Sequence, residues 1–214
     1  VAKYPKNWNE YLEVWHKEAI APTPHLFEAD FGLSPTPGTE TLPALTISVD
    51  GQEVRIGGRI DRVDVAELPS GEVGFWIIDY KTGRASNYTG AALLRFEKLQ
   101  LSLYALAVER VFFANRPARP LGLAYWLVAD TGPKPVLPKK TETWLNDENQ
   151  WPAFRAQLEA EVAKHVGNAR QGKFPLAPIS DTCTATCPYS RVCRISQSRS
   201  VGKTWAGGLK VKEE

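Results

Sequence analysis

The apolar side chains of this chain follow two periods, one typical of strands and one typical of helices. Alternation with a period of two, or a short apolar run between turn residues, predicts strands; recurrence every three to four residues predicts helices. The predicted strands are His25–Leu33, Leu45–Val49, Glu53–Ile56, Gly58–Glu67, Glu72–Thr82 and Leu121–Val128. The predicted helices are 6–19, Thr89–Phe113 and Trp151–Arg170.

Turn signals separate these elements. Asp50-Gly51 lies between two of the strands and predicts a tight hairpin turn. Ser34–Pro43 and Pro133–Pro138 are rich in proline and predict loops. The last helix is predicted to bury one face, formed by Phe154, Leu158, Val162, His165 and Val166. A helix, four or five antiparallel strands, a helix, a strand and a helix then predict an α/β fold with a mixed central β-sheet flanked by helices.

Composition limits the class of protein. The chain has 214 residues with 43% hydrophobic and 23% charged residues, which suits one folded domain with an appendage. Its net charge of +2 means that any nucleic-acid surface must be local. No apolar run reaches the roughly 18 residues of a membrane span, and no signal peptide is recognisable, so we expect a cytoplasmic protein without membrane contact. Because the chain starts at Val1 and contains no Met, it is interpreted as a piece of a longer polypeptide.

The strongest candidate chemistry lies on the two strands that flank Ser70. If the turn centres on Ser70, paired positions sum to 140, and Asp61 lies opposite Asp79 with both side chains on one face. Lys81 is two residues further on, so it shares that face. Facing carboxylates repel unless a cation lies between them, and Mg²⁺ or Mn²⁺ prefers such oxygen ligands. The alternative is an exposed hairpin face with a surface ion pair.

Three ordered motifs then indicate a family. GRIDRVD at 58–64, IIDYKTG at 77–83 and QLSLYALAVE at 100–109 resemble the RecB-type branch of the PD-(D/E)xK nucleases. The resemblance implies a restriction-endonuclease-like core over residues 1–180, lacking its N-terminal part. It implies metal-dependent DNA hydrolysis, exonucleolytic rather than endonucleolytic, in which DNA and a helicase domain or subunit are the partners.

The same resemblance assigns roles to individual residues. Asp61, Asp79 and Lys81 match the catalytic positions, and the backbone carbonyl of Tyr80 becomes a further metal ligand. Gln100 and Tyr104 match a catalytic pair one helical turn apart. Glu28 matches an acidic position on the first strand, as a metal ligand or an edge carboxylate.

A cysteine segment at 181–195 follows the last helix, and a polar tail at 196–214 ends the chain. The segment contains Cys183, Cys187 and Cys193, which resemble the cluster ligands of iron–sulfur relatives of this family. The resemblance implies a structural [4Fe–4S] cluster whose fourth ligand is not in this chain. Zinc is the alternative for the same thiolates.

Basic residues near the motifs are candidates for DNA contact. Arg59, Arg62 and Arg84 are the predicted phosphate ligands, against the alternative of solvated surface charges. The resulting hypothesis is the nuclease module of a RecB/AddB-like helicase–nuclease in double-strand break repair and recombination. A free-standing CRISPR-adaptation-type exonuclease and a catalytically inactive DNA-binding scaffold remain the alternatives.

Overall fold

A computed structural model describes residues 22–33, 42–49, 51–83, 90–128, 132–135 and 150–173. The predicted helix at 6–19, most of the loop at 34–43 and the whole cysteine segment lie outside these residues. The chain divides into two compact units, Val1–Lys164 and His165–Glu214. The elements below belong to the first unit, apart from the last turns of the final helix.

The fold is built on a five-stranded mixed sheet and a separate two-stranded hairpin. The sheet has the order β1-β4-β5-β6-β7, in which β5 and β6 are parallel and the other neighbours are antiparallel. This confirms the predicted α/β class with a mixed central sheet. The strands are β1 Thr23–Phe31, β2 Leu45–Val49, β3 Gln52–Ile56, β4 Gly58–Glu67, β5 Val73–Lys81, β6 Ala118–Leu127 and β7 Gly132–Pro135.

The middle strand β5 supplies much of the core. Its residues 73–79 are all buried, because the apolar run on this strand is covered on both faces. Asp79 is the charged residue of that run and is only 2% exposed. The buried carboxylate of Asp79 therefore lies near the end of β5, next to the more exposed residues Tyr80 and Lys81.

The register between β4 and β5 is the predicted one. The pairs run from Glu67 with Val73 to Arg62 with Ile78, and each pair sums to 140. The pairing ends there, and the same register continued by one step would place Asp61 opposite Asp79. The β2–β3 hairpin is also confirmed, with Gly51 at a φ of 73° in its turn.

The single helix predicted at Thr89–Phe113 is wrong, because the segment forms two helices with a break between them. Helix α1 covers Gly90–Leu94, and α2 covers Gln100–Ala107 and continues as a π-helical turn at Val108–Phe112. The break lies at Phe96, whose φ of 56° ends α1: its N–H bonds to Leu93 O, and the next N–H bonds to Ala92 O. Glycine normally occupies this position of a helix end, so the sequence contained no stop signal.

Two smaller predictions are also wrong. Part of the predicted loop Pro133–Pro138 is β7, an edge strand on β6, where prolines are tolerated because one side of the strand needs no donors. The last helix, α3, covers Gln150–Arg170 and buries Trp151, Phe154, Leu158 and Val162. His165 is exposed rather than part of the buried face.

None of the helices in the described part of the chain is long and apolar enough to cross a membrane.

Candidate functional site

The site begins with a buried carboxylate at the end of β5. Asp79 Oδ2 is shielded from solvent and forms an ion pair with Lys81 Nζ. It accepts no other hydrogen bond from the described residues. A buried carboxylate oxygen with so few donors is costly unless a cation completes its environment.

Asp61 lies beside Asp79 at the point where the β4–β5 pairing stops. Its Oδ2 accepts a hydrogen bond of 2.8 Å from the backbone N–H of Tyr80. The side chain of Asp61 therefore binds the backbone of β5 directly after the last paired residues. This bond fixes one oxygen of Asp61, and no described residue donates to its other oxygen, Oδ1.

A chain of polar contacts leads from the carboxylates to helix α2. Lys81 Nζ donates to Gln100 Oε1 at 3.2 Å, and Gln100 Nε2 donates to Tyr104 Oη at 3.1 Å. Gln100 is the first residue of α2, so Tyr104 lies one turn further on the same helix face. The structure thus brings together the predicted residues Asp61, Asp79, Lys81, Gln100 and Tyr104.

The electrostatics of Asp79 favour a cation. Burial raises the pKa of the Asp79 carboxyl; the Lys81 ammonium lowers it, and the nearby Asp61 carboxylate raises it further. The net pKa lies above the ordinary value of 3.8, so the surroundings disfavour the charged form. A divalent cation at the two carboxylates would reverse this balance, and carboxylate oxygens are the donors that Mg²⁺ and Mn²⁺ prefer.

In the described part of the chain, the acidic cluster at this site consists of the two carboxylates Asp61 and Asp79. Among the described residues, no group of three or more His, Cys, Asp or Glu side chains is close enough to hold a metal. Glu28 is exposed and has a φ of 46°, rare for a residue within a strand. The β1–β4 pairing skips Glu28, at the step where the register would place it opposite Asp61. Its role as a ligand stays a prediction, as does that of the Tyr80 carbonyl.

Arg62 occupies a structural position. Its Nε and Nη2 donate to the two oxygens of buried Asp64 at 2.6 and 2.7 Å, and its Nη1 donates to Tyr80 Oη at 3.4 Å. The guanidinium also lies 5.9 Å from the ring centres of Phe27 and Trp126. Burial lowers the pKa of Arg62, but these bonds outweigh it and hold the pKa above the ordinary value. Its predicted contact with a DNA phosphate stays a prediction, and in this structure the guanidinium is engaged with Asp64 and Tyr80.

Arg59 is the exposed arginine of the same strand. It makes a two-pronged ion pair with Asp30 across β1 and β4, with 2.5 Å from Nε to Oδ1 and 2.9 Å from Nη2 to Oδ2. This bond holds the pKa of Asp30 below its usual value. Arg84 lies outside the described residues, so its predicted role is neither supported nor opposed.

Sequence reasoning missed two residues of this region. Tyr125 is 2% exposed and pairs with Asp79 across β5 and β6, and Lys81 Nζ lies 5.9 Å from its ring centre. Asp64 is the buried partner of Arg62. For Tyr125 no local signal exists, because its neighbourhood follows from the parallel pairing. For Asp64, a second carboxylate in a strand with alternating burial was the available signal.

Comparisons with known proteins identify the family of this chain. The family model described as the PD-(D/E)XK nuclease superfamily matches residues 2–194. A subunit of the ATP-dependent helicase/deoxyribonuclease of Caldanaerobacter subterraneus subsp. tengcongensis is 32% identical over 132 residues, covering 60% of this chain and 11% of that protein. The corresponding subunit from Geobacillus thermodenitrificans is 33% identical over 158 residues, covering 66% and 12%. That of Thermoanaerobacter sp. is 28% identical over 182 residues, covering 80% and 14%. The chain thus spans between a tenth and a seventh of these relatives.

Proposed function

Because the chain belongs to the PD-(D/E)XK nuclease superfamily, we propose that it is a deoxyribonuclease that hydrolyses phosphodiester bonds with Mg²⁺ or Mn²⁺. The observation that carries the proposal is the buried carboxylate of Asp79 at a strand end beside Asp61. A sheet selected for stability alone would not place two carboxylates together there. The family membership and the cation-favouring electrostatics support the same chemistry.

The residues that would hold the cation are Asp61 and Asp79, with the Tyr80 carbonyl as a third ligand. When bound, a divalent cation supplies Lewis-acid polarisation of the phosphodiester and offsets the charge of both carboxylates. The bond from the Tyr80 N–H orients Asp61 before any ligand arrives. Such preorganisation avoids rearranging the carboxylate during the reaction.

Lys81 is the proposed electrostatic catalyst. Its ammonium is held between Asp79 and Gln100, so its position relative to the carboxylates is restricted. Placed beside a phosphate, it would neutralise the negative charge that develops on the phosphoryl oxygens. Gln100, itself bonded to Tyr104, would keep Lys81 in place and orient the attacking water.

The relatives support a proposal for the biological role. They are named as subunits of an ATP-dependent helicase/deoxyribonuclease, and the chain matches a small part of each. We therefore propose that this domain is the nuclease module of such a machine in double-strand break repair and recombination. DNA would be the substrate and a helicase domain or subunit the partner.

The decisive experiment is degradation of linear DNA with Mg²⁺ or Mn²⁺, comparing the wild-type chain with Lys81→Ala. We expect metal-dependent cleavage by the wild type and a loss of at least about a hundredfold in the variant, as for other groups that stabilise charge in the transition state. Lys164→Ala is the matched control, because Lys164 is an exposed lysine paired with Glu161 on α3. If both chains stay folded and bind DNA without cleaving it, the scaffold alternative replaces the nuclease.

The cysteine segment carries a separate proposal. Cys183, Cys187 and Cys193 lie outside the described residues, so this proposal rests on the sequence and is tested by experiment. Three thiolates are soft ligands that suit a [4Fe–4S] cluster or zinc, and the chain has three cysteines, so a fourth ligand would come from elsewhere. Metal analysis and the visible absorption of protein purified without oxygen distinguish the two metals. Finding neither would reject the site.

A further inference from the structure

The edge of the site carries a charged pair that the proposed chemistry does not use. Arg59 on β4 and Asp30 on β1 face each other directly in the register of the two strands. Two N–H groups of the guanidinium bind the two carboxylate oxygens of Asp30. This geometry fixes the plane of the guanidinium, as one bond could not.

The position of Arg59 relative to the carboxylates suggests a ligand. Arg59 precedes Asp61 by two residues on β4, a separation of about 7 Å along the strand. Successive phosphates of a DNA strand are spaced at a similar distance, so a strand whose cleaved bond lies at Asp61 and Asp79 brings a neighbouring phosphate near Arg59.

Of the two arginines that flank Asp61 on β4, Arg59 is the one open to solvent. The side chain of Arg62 is 12% exposed and committed to Asp64, whereas that of Arg59 is 53% exposed. Asp30 uses Nε and one hydrogen of Nη2, and no described residue bonds to Nη1. The remaining donors can bind phosphate oxygens while the pair with Asp30 stays intact.

We propose that Arg59 binds a backbone phosphate of the DNA strand adjacent to the cleaved bond, and that Asp30 is the positioning residue that holds its guanidinium for this contact. This inference rests on the proposed function for the identity of the ligand. It assigns the β1–β4 edge to substrate binding. The carboxylate of Asp30 on β1 then acts by positioning Arg59 and not as a metal ligand. Because the contact is to a phosphate, it strengthens binding to all sequences equally.

The chain offers a matched control at the other end of β4. Arg116 and Glu67 also form an exposed arginine–carboxylate pair, with side chains 45% and 69% exposed. Glu67 lies six residues from Asp61 along the strand, about 20 Å away. Replacing the arginine of either pair by alanine lowers the net charge by one, and replacing the carboxylate raises it by one. Differences between the two pairs therefore report the position of the charge rather than its amount.

The first arm of the experiment measures binding. The probe is a short fluorescein-labelled DNA duplex with Ca²⁺, bound by Lys81→Ala protein so that cleavage does not interfere, and the dissociation constant is measured across NaCl concentrations. Arg59→Ala is expected to weaken binding roughly tenfold and to reduce the slope of log K against log salt by about 1, whereas Arg116→Ala leaves both unchanged. Equal effects of the two substitutions would overturn the contact.

The second arm isolates the positioning role of Asp30. Asp30→Ala and Glu67→Ala each make the chain more positive by one, which alone would strengthen DNA binding. A positioning residue predicts the opposite for Asp30→Ala: weaker binding than Glu67→Ala by about threefold or more, with partial recovery in Asp30→Asn, which keeps one acceptor oxygen. If Asp30→Ala instead binds DNA more tightly, Asp30 competes with the phosphate and the positioning role is wrong.

A third arm separates this inference from the proposed function. Cleavage with Mg²⁺ is measured for the Arg59 and Arg116 variants without the Lys81 substitution. A roughly tenfold lower kcat/KM for Arg59→Ala alone supports both proposals. If no variant cleaves DNA while the binding arm still separates Arg59 from Arg116, the nuclease function fails and the phosphate contact stands. Cleavage that is unaffected by Arg59→Ala overturns the contact and leaves the nuclease intact.

Discussion

Asp79 carries a charge where the protein gives it little compensation. Its raised pKa means that the folded protein binds a proton more tightly than the unfolded chain does. When folding raises the pKa of a carboxyl group, that group does not change the free energy of unfolding below its unfolded pKa. It lowers the free energy of unfolding progressively as the pH rises from the unfolded pKa through the folded pKa. At neutral pH the charged Asp79 therefore reduces the free energy of unfolding.

Asp79→Asn is consequently expected to stabilise the fold at pH 7 in the absence of divalent ions, because it removes the buried charge and its repulsion with Asp61. Added Mn²⁺ should raise the Tm of the wild type, since a ligand that binds only the folded state stabilises it. It should leave the Tm of the variant nearly unchanged. Thermal unfolding with EDTA and with Mn²⁺ measures both effects.

Asp64→Asn is the control for this substitution, because Asp64 is equally buried but has a full partner in Arg62. Breaking that pair leaves an uncompensated guanidinium, at a cost of about 3 kcal/mol. A loss of stability of that size in Asp79→Asn as well would mean that Asp79 is an ordinary ion-pair partner of Lys81.

At the residue scale, the sequence could predict which side chains share one face of a strand or helix, because that depends on periodicity. The placement of Asp61, Asp79 and Lys81 on one face follows from a turn centre and a period of two. Gln100 and Tyr104 were implied by the family resemblance, and helical spacing adds only that they share one face of the helix. Tyr125 could not be predicted in the same way, since it depends on which strand pairs in parallel with β5. The ion pair of Arg62 with Asp64 could not be predicted either, because it depends on the burial of both side chains, and the identity of a charged residue does not indicate that it is buried.

At the scale of elements, the strands were easier to predict than the helix boundaries. The boundaries of β4 and the β2–β3 hairpin follow from alternation and from a glycine turn. The break between α1 and α2 is made by Phe96, whose ring packs 5.3 Å from that of Phe154. A tertiary contact thus favours a backbone conformation that the local sequence disfavours, and no local pattern indicates it.

The pairing of β5 with β6 depends on a glycine at their interface. Gly122 is the register partner of Trp76, and a Cβ at Gly122 would lie 2.5 Å from Trp76 Cδ1. Gly122→Ala should therefore cost about 1–3 kcal/mol of unfolding free energy, because a buried indole must move. Urea denaturation measures the change.

Gly167→Ala serves as the control for that substitution, since a Cβ at Gly167 on α3 would meet no described neighbour within 4 Å apart from the backbone of its own helix. Alanine in a helix is favoured over glycine, so this variant should gain about 0.5–1 kcal/mol. If Gly122→Ala costs no unfolding free energy, the sheet has room at this interface and the position of the indole does not depend on the glycine.

The π-helical turn after α2 is joined to α3 by an ion pair of the half-buried carboxylate Glu109. Glu109 pairs with Arg155, and burial raises the pKa of Glu109 above 4.5 in spite of that partner. The unfolding free energy of the wild type should thus fall as the pH rises through the window just above 4.5, by a contribution that Glu109→Gln lacks. The stability of the variant relative to the wild type should increase across that window and then level off, as measured by urea denaturation at a series of pH values. A difference that stays constant with pH would contradict the shift.

At the scale of the whole molecule, charge is nearly balanced, which limits the electrostatic attraction available to the DNA of the proposed function. The chain has 26 basic and 24 acidic residues, and it matches at most a seventh of its relatives. The exposed arginines of the described part that are paired with carboxylates, such as Arg59, Arg95 and Arg116, add little long-range attraction.

This balance predicts a shallow salt dependence for the isolated chain. The slope of log K against log salt is about −0.9 for each neutralised phosphate, so a few contacts at the site give a slope of about −1 to −3. Fluorescence anisotropy of a labelled duplex between roughly 50 and 200 mM NaCl measures it, a range in which proteins with many phosphate contacts lose affinity steeply. A slope near −6 or steeper would require an extended basic surface, and DNA would then be held by the chain as a whole rather than by the β1–β4 edge.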